Sequence, residues 1–223
     1  MSIPQVHFYK FTVYLLSERP MLLLRKREDM LDINANLYLA PLTVAHGAAL
    51  FSLVDSNRMF LATWLPWVPF SRTLQHSVDF IHTTQKQMEL KQGFHGGIFF
   101  HGQLVGVLGF HAISRTHKHA SIGYWLGEPF TGKGLMTRAV KRLVRHAFVD
   151  EDLHRIEIRC AVKNRSSVAI PKRLGFQKEG LLRQCEKVNG VYHDHEIYAL
   201  LRGDWIRMNC SELASAGSHV LAK

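Results

Sequence analysis

Cysteine is scarce in this chain of 223 residues: it has three, Cys160, Cys185 and Cys210, all far apart. No Cys-x-x-Cys pair or zinc-finger spacing occurs, and an odd number of cysteines does not complete a set of disulfides. The sequence therefore excludes a small secreted domain held by disulfides, and it favours a reducing compartment.

Long hydrophobic runs are missing as well. No stretch approaches the roughly 20 apolar residues of a membrane span. Lys10 interrupts the apolar patch at residues 8–16, which also lacks the small-residue cleavage site of a signal peptide. We therefore expect a cytoplasmic protein with no membrane partner.

Basic residues outnumber acidic ones, with 28 Lys and Arg against 18 Asp and Glu, a formal net charge of +10. Such a balance favours an acidic partner, which is a phosphorylated cofactor, a nucleic acid or an acidic protein. Because the basic residues are dispersed and form no arginine-rich tract, nucleic acid is not expected to be the main partner.

Residues 124–137 form the most informative segment: a strand, a glycine turn and then the start of a long amphipathic helix. Gly132 and Gly134 allow the backbone of the turn to approach a ligand closely. The start of the helix adds free N–H groups and the positive end of the helix dipole. This arrangement predicts a site for a phosphate or pyrophosphate.

Two common phosphate motifs each lack one residue here. Gly134 stands where a Walker A loop, Gly-x-x-x-x-Gly-Lys-Ser/Thr, needs the hydroxyl that binds Mg²⁺. Thr137 stands where the dinucleotide fingerprint needs its third glycine. An NTPase and a dinucleotide oxidoreductase are therefore disfavoured.

Hydrophobic periodicity predicts an α/β fold with a central mixed sheet and helices on both faces. Helices are predicted over residues 44–57, 73–91, 134–149 and 166–174. Strands are predicted over residues 37–42, 94–101, 103–112, 120–126, 155–162, 176–188 and 192–202. Asn189-Gly190 predicts a tight hairpin, and the prolines within residues 60–70 predict a loop or short helical turns.

The chain is predicted to hold one domain over residues 35–203. Residues 1–34 form an N-terminal extension, interpreted either as a mis-assigned start before initiation at Met30 or as an accessory arm. Residues 204–223 are predicted to be a C-terminal tail.

Six short motifs occur in a characteristic order. They are Gly123–Leu126, Gly132–Gly134, Asn164–Ser167, Arg173–Phe176, Glu179-Gly180 and Asn189–Asp194. Together they resemble the GNAT acetyltransferases, and within them the RimJ/RimL group of ribosomal-protein N-terminal acetyltransferases, over about residues 36–203. The resemblance implies the GNAT fold, a mostly antiparallel sheet splayed at the cofactor site, with acetyl-CoA as co-substrate and a homodimer.

The resemblance also implies where the cofactor binds. The pyrophosphate is expected on backbone N–H groups from Thr131 to Met136, and the pantetheine arm beside the preceding strand. The implied cofactor-binding residues are Tyr124, Trp125, Leu126, Thr131, Gly132, Lys133, Gly134, Leu135, Met136, Thr137 and Asn164. GNAT proteins often have Arg or Gln where this chain has Pro129, so Lys133 is expected to supply some of the missing charge.

Resemblance to RimL-type enzymes places a catalytic carboxylate at Glu186 and a hydroxyl at Ser167. An α-amine with a pKa near about 8 must lose a proton before it attacks, and Glu186 is expected to accept it, directly or through water. Ser167 is expected to assist the leaving thiolate. The alternatives are that Glu186 only pairs with Lys187 or Arg183, and that Ser167 only caps a helix.

The acceptor is expected to be the α-amine of a protein N-terminus, with an acidic ribosomal protein as the candidate. Two alternatives stay open: a small amine such as an aminoglycoside, polyamine or amino acid, and an acyl-CoA-binding module without turnover. His193 and His195 lack a third ligand at a recognisable spacing, so no metal is expected. Cys185 is considered as a nucleophile, but it lacks an identifiable base partner, so a buried or half-buried thiol is expected instead. Residues 64–70 either line the acceptor entrance or belong to the core.

Overall fold

The computed structural model describes residues 30–218, which form an eight-stranded sheet flanked by helices. The strands are β1 (Leu31–Asn34), β2 (Leu37–Pro41), β3 (Phe94–Phe100), β4 (Gln103–Ser114), β5 (His119–Leu126), β6 (Arg155–Ala161), β7 (Gln177–Val188) and β8 (Val191–Leu201). The helices are α1 (Gly47–Ser56), α2 (Arg58–Ala62), α3 (Leu74–Glu89), α4 (Leu135–Val149), α5 (Arg165–Arg173) and α6 (Arg202–Ser218). None of these helices is both long enough and apolar enough to cross a bilayer.

The sheet has the order β1-β2-β3-β4-β5-β6-β8-β7, and β5–β6 is the one parallel pair in residues 30–218. This parallel ladder ends at the pair Ile122–Ile158. Beyond it, β5 continues to Leu126 paired with β4, while β6 continues to Ala161 paired with β8. The two strands therefore part from Gly123 onward, which confirms the predicted mixed and splayed sheet.

Helices cover both faces of the sheet because successive strand residues point to opposite sides. The apolar stripe of α4, which includes Leu143 and Phe148, packs on one face and forms the larger core. On the other face, Leu50 and Leu53 of α1 and Ile81 of α3 form a second core. The predicted helices on both faces are therefore confirmed.

Both ends of the described chain differ from the prediction. β1 lies inside the predicted extension and pairs with β2, so the sheet begins before residue 35. The predicted tail is helical as far as Ser218, because Trp205 of α6 packs against Phe148, with 5.5 Å between the ring centroids. The sequence of α6 has only a weak apolar stripe, so its hydrophobic pattern does not predict a helix. Residues 1–29, on which the Met30 hypothesis depends, lie outside the described residues.

Candidate active site

A cavity of about 680 Å³ opens where β5 and β6 part. Its walls come from β5, from the loop and first turn of α4, from α5 and from the segment around α2. Ten of the predicted cofactor-binding residues line it: Tyr124, Trp125, Leu126, Thr131, Gly132, Gly134, Leu135, Met136, Thr137 and Asn164. Lys133, the eleventh, lies outside this lining, with its ammonium 5.6 Å from the centre of the Phe130 ring.

The loop before α4 presents backbone N–H groups to the cavity. Gly132 and Gly134 have φ angles of 72° and 70°, in the left-handed region that only glycine adopts without strain. The first bond of α4 runs from the Arg138 N–H to the Gly134 carbonyl, at 3.2 Å. The N–H groups of Leu135 to Thr137 precede this bond and have no partner within the helix. They suit an anionic group, as a pyrophosphate requires.

Thr131 corrects one detail of the predicted cradle. Its N–H donates to the Glu128 carbonyl at 3.1 Å, and its hydroxyl donates to the same oxygen at 2.8 Å. Pro129 lies inside the short turn that these bonds close, and the Glu128 N–H donates to Asn57 Oδ1 at 2.8 Å. The Thr131 N–H is thus already used, and the free N–H groups begin at Gly132.

Two arginines that the sequence analysis missed also line the cavity. Arg138 lies one turn into α4, and Arg173 ends α5. Arg173 follows Ser166 and Ile170, which also line the cavity, at helical spacings that place all three on one face of α5. Counting in helical spacings from Ser166 would have predicted that Arg173 faces the cavity. Both guanidinium groups bring positive charge to a site for phosphate.

Ser167 belongs to a hydrogen-bonded trio with Tyr124 and Cys160. The Tyr124 hydroxyl donates to the Ser167 carbonyl at 3.1 Å. Pro171 has no N–H to give to that carbonyl, so Tyr124 supplies the missing bond and α5 continues to Arg173. The Ser167 hydroxyl lies 3.2 Å from both the Tyr124 oxygen and the Cys160 sulfur.

The helix cap is Asn164 rather than Ser167. Asn164 Oδ1 accepts the Ser167 N–H at 3.1 Å, which leaves the Ser167 hydroxyl free of a capping role. Burial, and then the neighbouring Cys160, raise the pKa of Tyr124 well above its usual range. Burial also raises the pKa of the Cys160 thiol. The trio is therefore neutral, and two of its members, Tyr124 and Ser167, line the cavity.

Glu186 lies outside the cavity lining, on β7. A bulge between Leu182 and Glu186 shifts the register against β8, and the Gln184 N–H donates there to Asp194 Oδ1 at 2.8 Å. The bulge brings a Glu186 carboxylate oxygen to 3.2 Å from Nε2 of His195. The two atoms are close but are not aligned as a hydrogen bond. His195 Nε2 is accordingly a buried atom with no hydrogen-bond partner. Within residues 30–218 the charged-group contact of Glu186 is therefore with His195 rather than with Lys187 or Arg183.

The tip of the β7–β8 hairpin packs on the segment after α2. The Asn189 side chain donates to the Ala62 carbonyl at 2.8 Å, and the Trp64 ring lies 5.9 Å from His193. Trp64 and Leu65 line the cavity, whereas Val68 is fully buried. Residues 64–70 therefore contribute both to the cavity wall and to the core.

The remaining candidates support no other chemistry. Within residues 30–218, no group of three His, Cys, Asp or Glu side chains can hold a metal ion. Cys185 is exposed, and its sulfur lies 3.8 Å from the His193 carbonyl rather than beside a base.

Known proteins resemble this chain in sequence and in fold. A model of the acetyltransferase (GNAT) domain matches residues 36–177. The ribosomal-protein-serine acetyltransferase of Escherichia coli (strain K12) is 32% identical over 174 residues, which are 77% of this chain and 96% of that protein. A structure of RimL, a ribosomal L7/L12 alpha-N-protein acetyltransferase with coenzyme A, is 31% identical with a TM-score of 0.76, covering 79% of this chain and 99% of that one. The microcin C7 self-immunity acetyltransferase MccE, with acetyl-CoA and AMP, is 30% identical with a TM-score of 0.73, covering 76% of this chain and 94% of that one.

The splayed sheet, the cavity and the free N–H groups of the loop define an acetyl-CoA-dependent acyltransferase. The chain belongs to the GNAT acetyltransferase family.

Proposed function

We propose that this enzyme transfers the acetyl group of acetyl-CoA to the α-amine of a protein N-terminus, with an acidic ribosomal protein as the substrate class. One observation carries the proposal: the likeness to the ribosomal-protein-serine acetyltransferase extends over 96% of that protein rather than over the cofactor motif alone. The net charge of +10 suits an acidic acceptor.

In the proposed reaction the acceptor amine attacks the thioester directly. Glu186 accepts the proton that the ammonium must lose, directly or through water. The open edge of β5 beyond Gly123 offers backbone N–H groups to the oxyanion. Ser167, whose hydroxyl has no capping role, hydrogen-bonds the sulfur as the thiolate leaves.

The geometry supports these separate roles. Ser167 lines the cavity that receives the cofactor, whereas Glu186 lies outside it, on β7. A base on the acceptor side and a hydroxyl on the cofactor side match the two proton transfers of the reaction. One removes a proton from the nitrogen, and the other delivers a proton to the sulfur.

A second candidate is acetylation of a small amine. The likeness to MccE supports it, because that structure holds AMP beside acetyl-CoA. The likeness to MccE covers 94% of that chain and is as extensive as the likeness to the ribosomal enzymes.

The deciding experiment measures thiol release from acetyl-CoA with a panel of acceptors. It uses peptides copying ribosomal-protein N-termini, the same peptides with a formylated α-amine, and small amines. Release with the free peptides but not with the formylated ones supports the proposal. Release with small amines alone favours the second candidate. Tight CoA binding without release for any acceptor contradicts both.

A further inference from the structure

Two glycines make room for two histidines on the sheet face opposite α4. The pairs His95–Gly109 and Gly109–Gly123 align on β3, β4 and β5. A methyl group added at Gly109 would lie 2.3 Å from the Phe94 carbonyl oxygen and 2.8 Å from His95 Nδ1, and one added at Gly123 would lie 1.8 Å from His111 Nε2. The His111 ring therefore lies directly on the backbone of Gly123.

Gly123 is the residue at which the sheet opens. The β5–β6 ladder ends one residue earlier, at Ile122. His111 is thus placed beside the mouth of the cavity, on the side of the sheet that also carries Trp125. Part of His111 remains open to solvent although surrounding groups crowd the ring, so an acceptor approaching this face can reach it.

Charged and titratable groups surround His111 from three other strands. His95 lies on β3, with 6.1 Å between the two ring centroids. Glu186 on β7 is close enough to raise the pKa of His111, although burial lowers that pKa by more. His195 on β8 stands behind Glu186, with Nε2 at 3.2 Å from its carboxylate. β5 contributes only the backbone of Gly123.

These groups leave His111 neutral at pH 7 and able to accept a proton. Its pKa is lowered first by burial, with Glu186 opposing. Burial and then the neighbouring His111 lower the pKa of His95 to about 4. His95 is therefore an uncharged neighbour, and Glu186 is the group that stabilises a charged His111 imidazole.

We propose that His111 is a catalytic residue that takes the proton from the acceptor amine and passes it to Glu186. The inference rests on the proposed function, in which Glu186 is the base, and it adds a group that takes the proton before Glu186 does. The single geometric fact behind it is the His111 ring resting on Gly123 where β5 and β6 part.

The proton count closes without a further reactant. The ammonium gives one proton to the His111 imidazole, and the nitrogen lone pair then forms the C–N bond to the thioester carbon. The imidazolium passes its proton to the Glu186 carboxylate, which releases it to water. As the C–S bond breaks, the second nitrogen proton neutralises the thiolate, and one proton in total reaches solvent.

The first test replaces the imidazole. We expect His111→Ala to lower kcat/KM about 100-fold, as loss of a general base does, with the Kd for CoA unchanged. Added imidazole is expected to restore part of the rate. The matched control is His117→Ala, since His117 lies in the turn at the far end of β4 and β5. Unchanged kcat/KM in His111→Ala overturns the proposal.

The second test displaces the imidazole without removing it. The three atoms nearest to a methyl group at Gly123 all belong to the His111 ring, so Gly123→Ala must move that ring. We expect Gly123→Ala to lower kcat/KM by about 10-fold to 100-fold. In the His111→Ala background it should change kcat/KM by less than about twofold. If Gly123→Ala lowers kcat/KM just as much in the His111→Ala background, the methyl group acts on something other than His111, and the proposal is overturned.

The third test is independent of any acceptor. Titrating the His111 imidazole by NMR should give a pKa below the usual value for histidine, and Glu186→Gln should lower it further because the carboxylate raises it. An unchanged His111 pKa in Glu186→Gln contradicts the relay. A failure of the proposed function has a different signature: wild-type enzyme that transfers to no amine refutes both, whereas normal transfer by His111→Ala refutes the relay alone.

Discussion

The half of the site that binds the acetyl donor and the half that faces the acceptor are built in different ways. The donor half is mostly backbone: an opened strand edge, two glycines in the left-handed region and the first turn of α4. The proposed acceptor half is mostly side chains, with His111, Glu186 and His195 coming from three strands. The comparison teaches that backbone geometry fixes the shared cofactor, while side chains from separate elements carry the acceptor chemistry.

The largest expected effect tests the acceptor half. Glu186→Gln should lower kcat about 1,000-fold, since it removes the final proton acceptor, while the Kd for CoA stays unchanged. The matched control on the same strand is Glu179→Gln, whose carboxylate instead pairs with Arg155. Steady-state kinetics and CoA titration make the comparison. A weakened Kd in Glu186→Gln would show that the two halves are not separate.

The next effect tests the donor half through the backbone alone. The methyl group of Gly134→Ala meets no atom within 4 Å. The variant should therefore lose only the free energy of holding alanine at a φ of 70°, about 1–2 kcal/mol. Gly102, in the β3–β4 turn with a φ of 76° and equally open space, gives the matched control Gly102→Ala. Both variants should lose similar stability in urea unfolding. Only Gly134→Ala should raise the Kd for CoA, by about tenfold; equal Kd values in the two variants would contradict a backbone cradle.

Acid should destabilise the helix that carries the donor half. His146, whose Nε2 lies 3.6 Å from the carboxylate, and then Arg115 lower the pKa of Glu151 from 4.5 to about 2 just after the end of α4. Because this folded-state pKa is depressed, its stabilisation is present above about pH 4.5 and is lost as the pH falls towards 2. Allowing for partial exposure, we expect a loss on the order of 1–2 kcal/mol.

Urea unfolding between pH 6 and 3 measures this loss, and Glu151→Gln should flatten it. His146 has the opposite sign: burial lowers its pKa, but the nearby Glu151 carboxylate and the hydrogen bond to Asp150 outweigh burial and raise it. Its contribution is therefore fully present below about pH 6.5 and fades as the pH rises through the folded pKa. A pH profile of stability that Glu151→Gln leaves unchanged would contradict the account.

The smallest expected effect tests where the two halves meet. Asn189→Gly keeps the φ of 49° accessible but removes the hydrogen bond to Ala62. We expect a loss of about 1 kcal/mol in stability and a KM for the acceptor raised about twofold to fivefold, corresponding to a fraction of that bond energy. The Kd for CoA should not change. A change confined to CoA binding would place the hairpin in the donor half instead.

The sequence predicts the donor half well because its residues are contiguous. Gly132 and Gly134 before an amphipathic helix have one physical interpretation, and the structure places them at the opening between β5 and β6. The positions of the strands and the two-sided sheet follow from hydrophobic periodicity, which is also local, whereas the strand order was not predicted. The use of the Thr131 N–H by Glu128 was not predictable, since it depends on the turn that Pro129 shapes.

The acceptor half resists prediction because its contacts cross the sheet. No local pattern links His111 to Gly123. The register of β4 and β5 explains the glycine, because the His111 ring occupies the space where a side chain at position 123 would lie. The approach of Glu186 to His195 depends on a bulge that the sequence does not mark. Likewise, Pro171 signals an unpaired carbonyl at Ser167, but only the fold shows that Tyr124 donates to it.

The central claim is that this site transfers the acetyl group of acetyl-CoA to the free α-amine of a protein N-terminus. The most direct measurement is the mass of a ribosomal-protein N-terminal peptide after incubation with the enzyme and acetyl-CoA, with fragmentation to locate the added group. The account predicts one acetyl group on the α-amine, none on the formylated peptide and almost none with Glu186→Gln. An acetyl group only on lysine side chains, or none at all despite CoA binding, would contradict it.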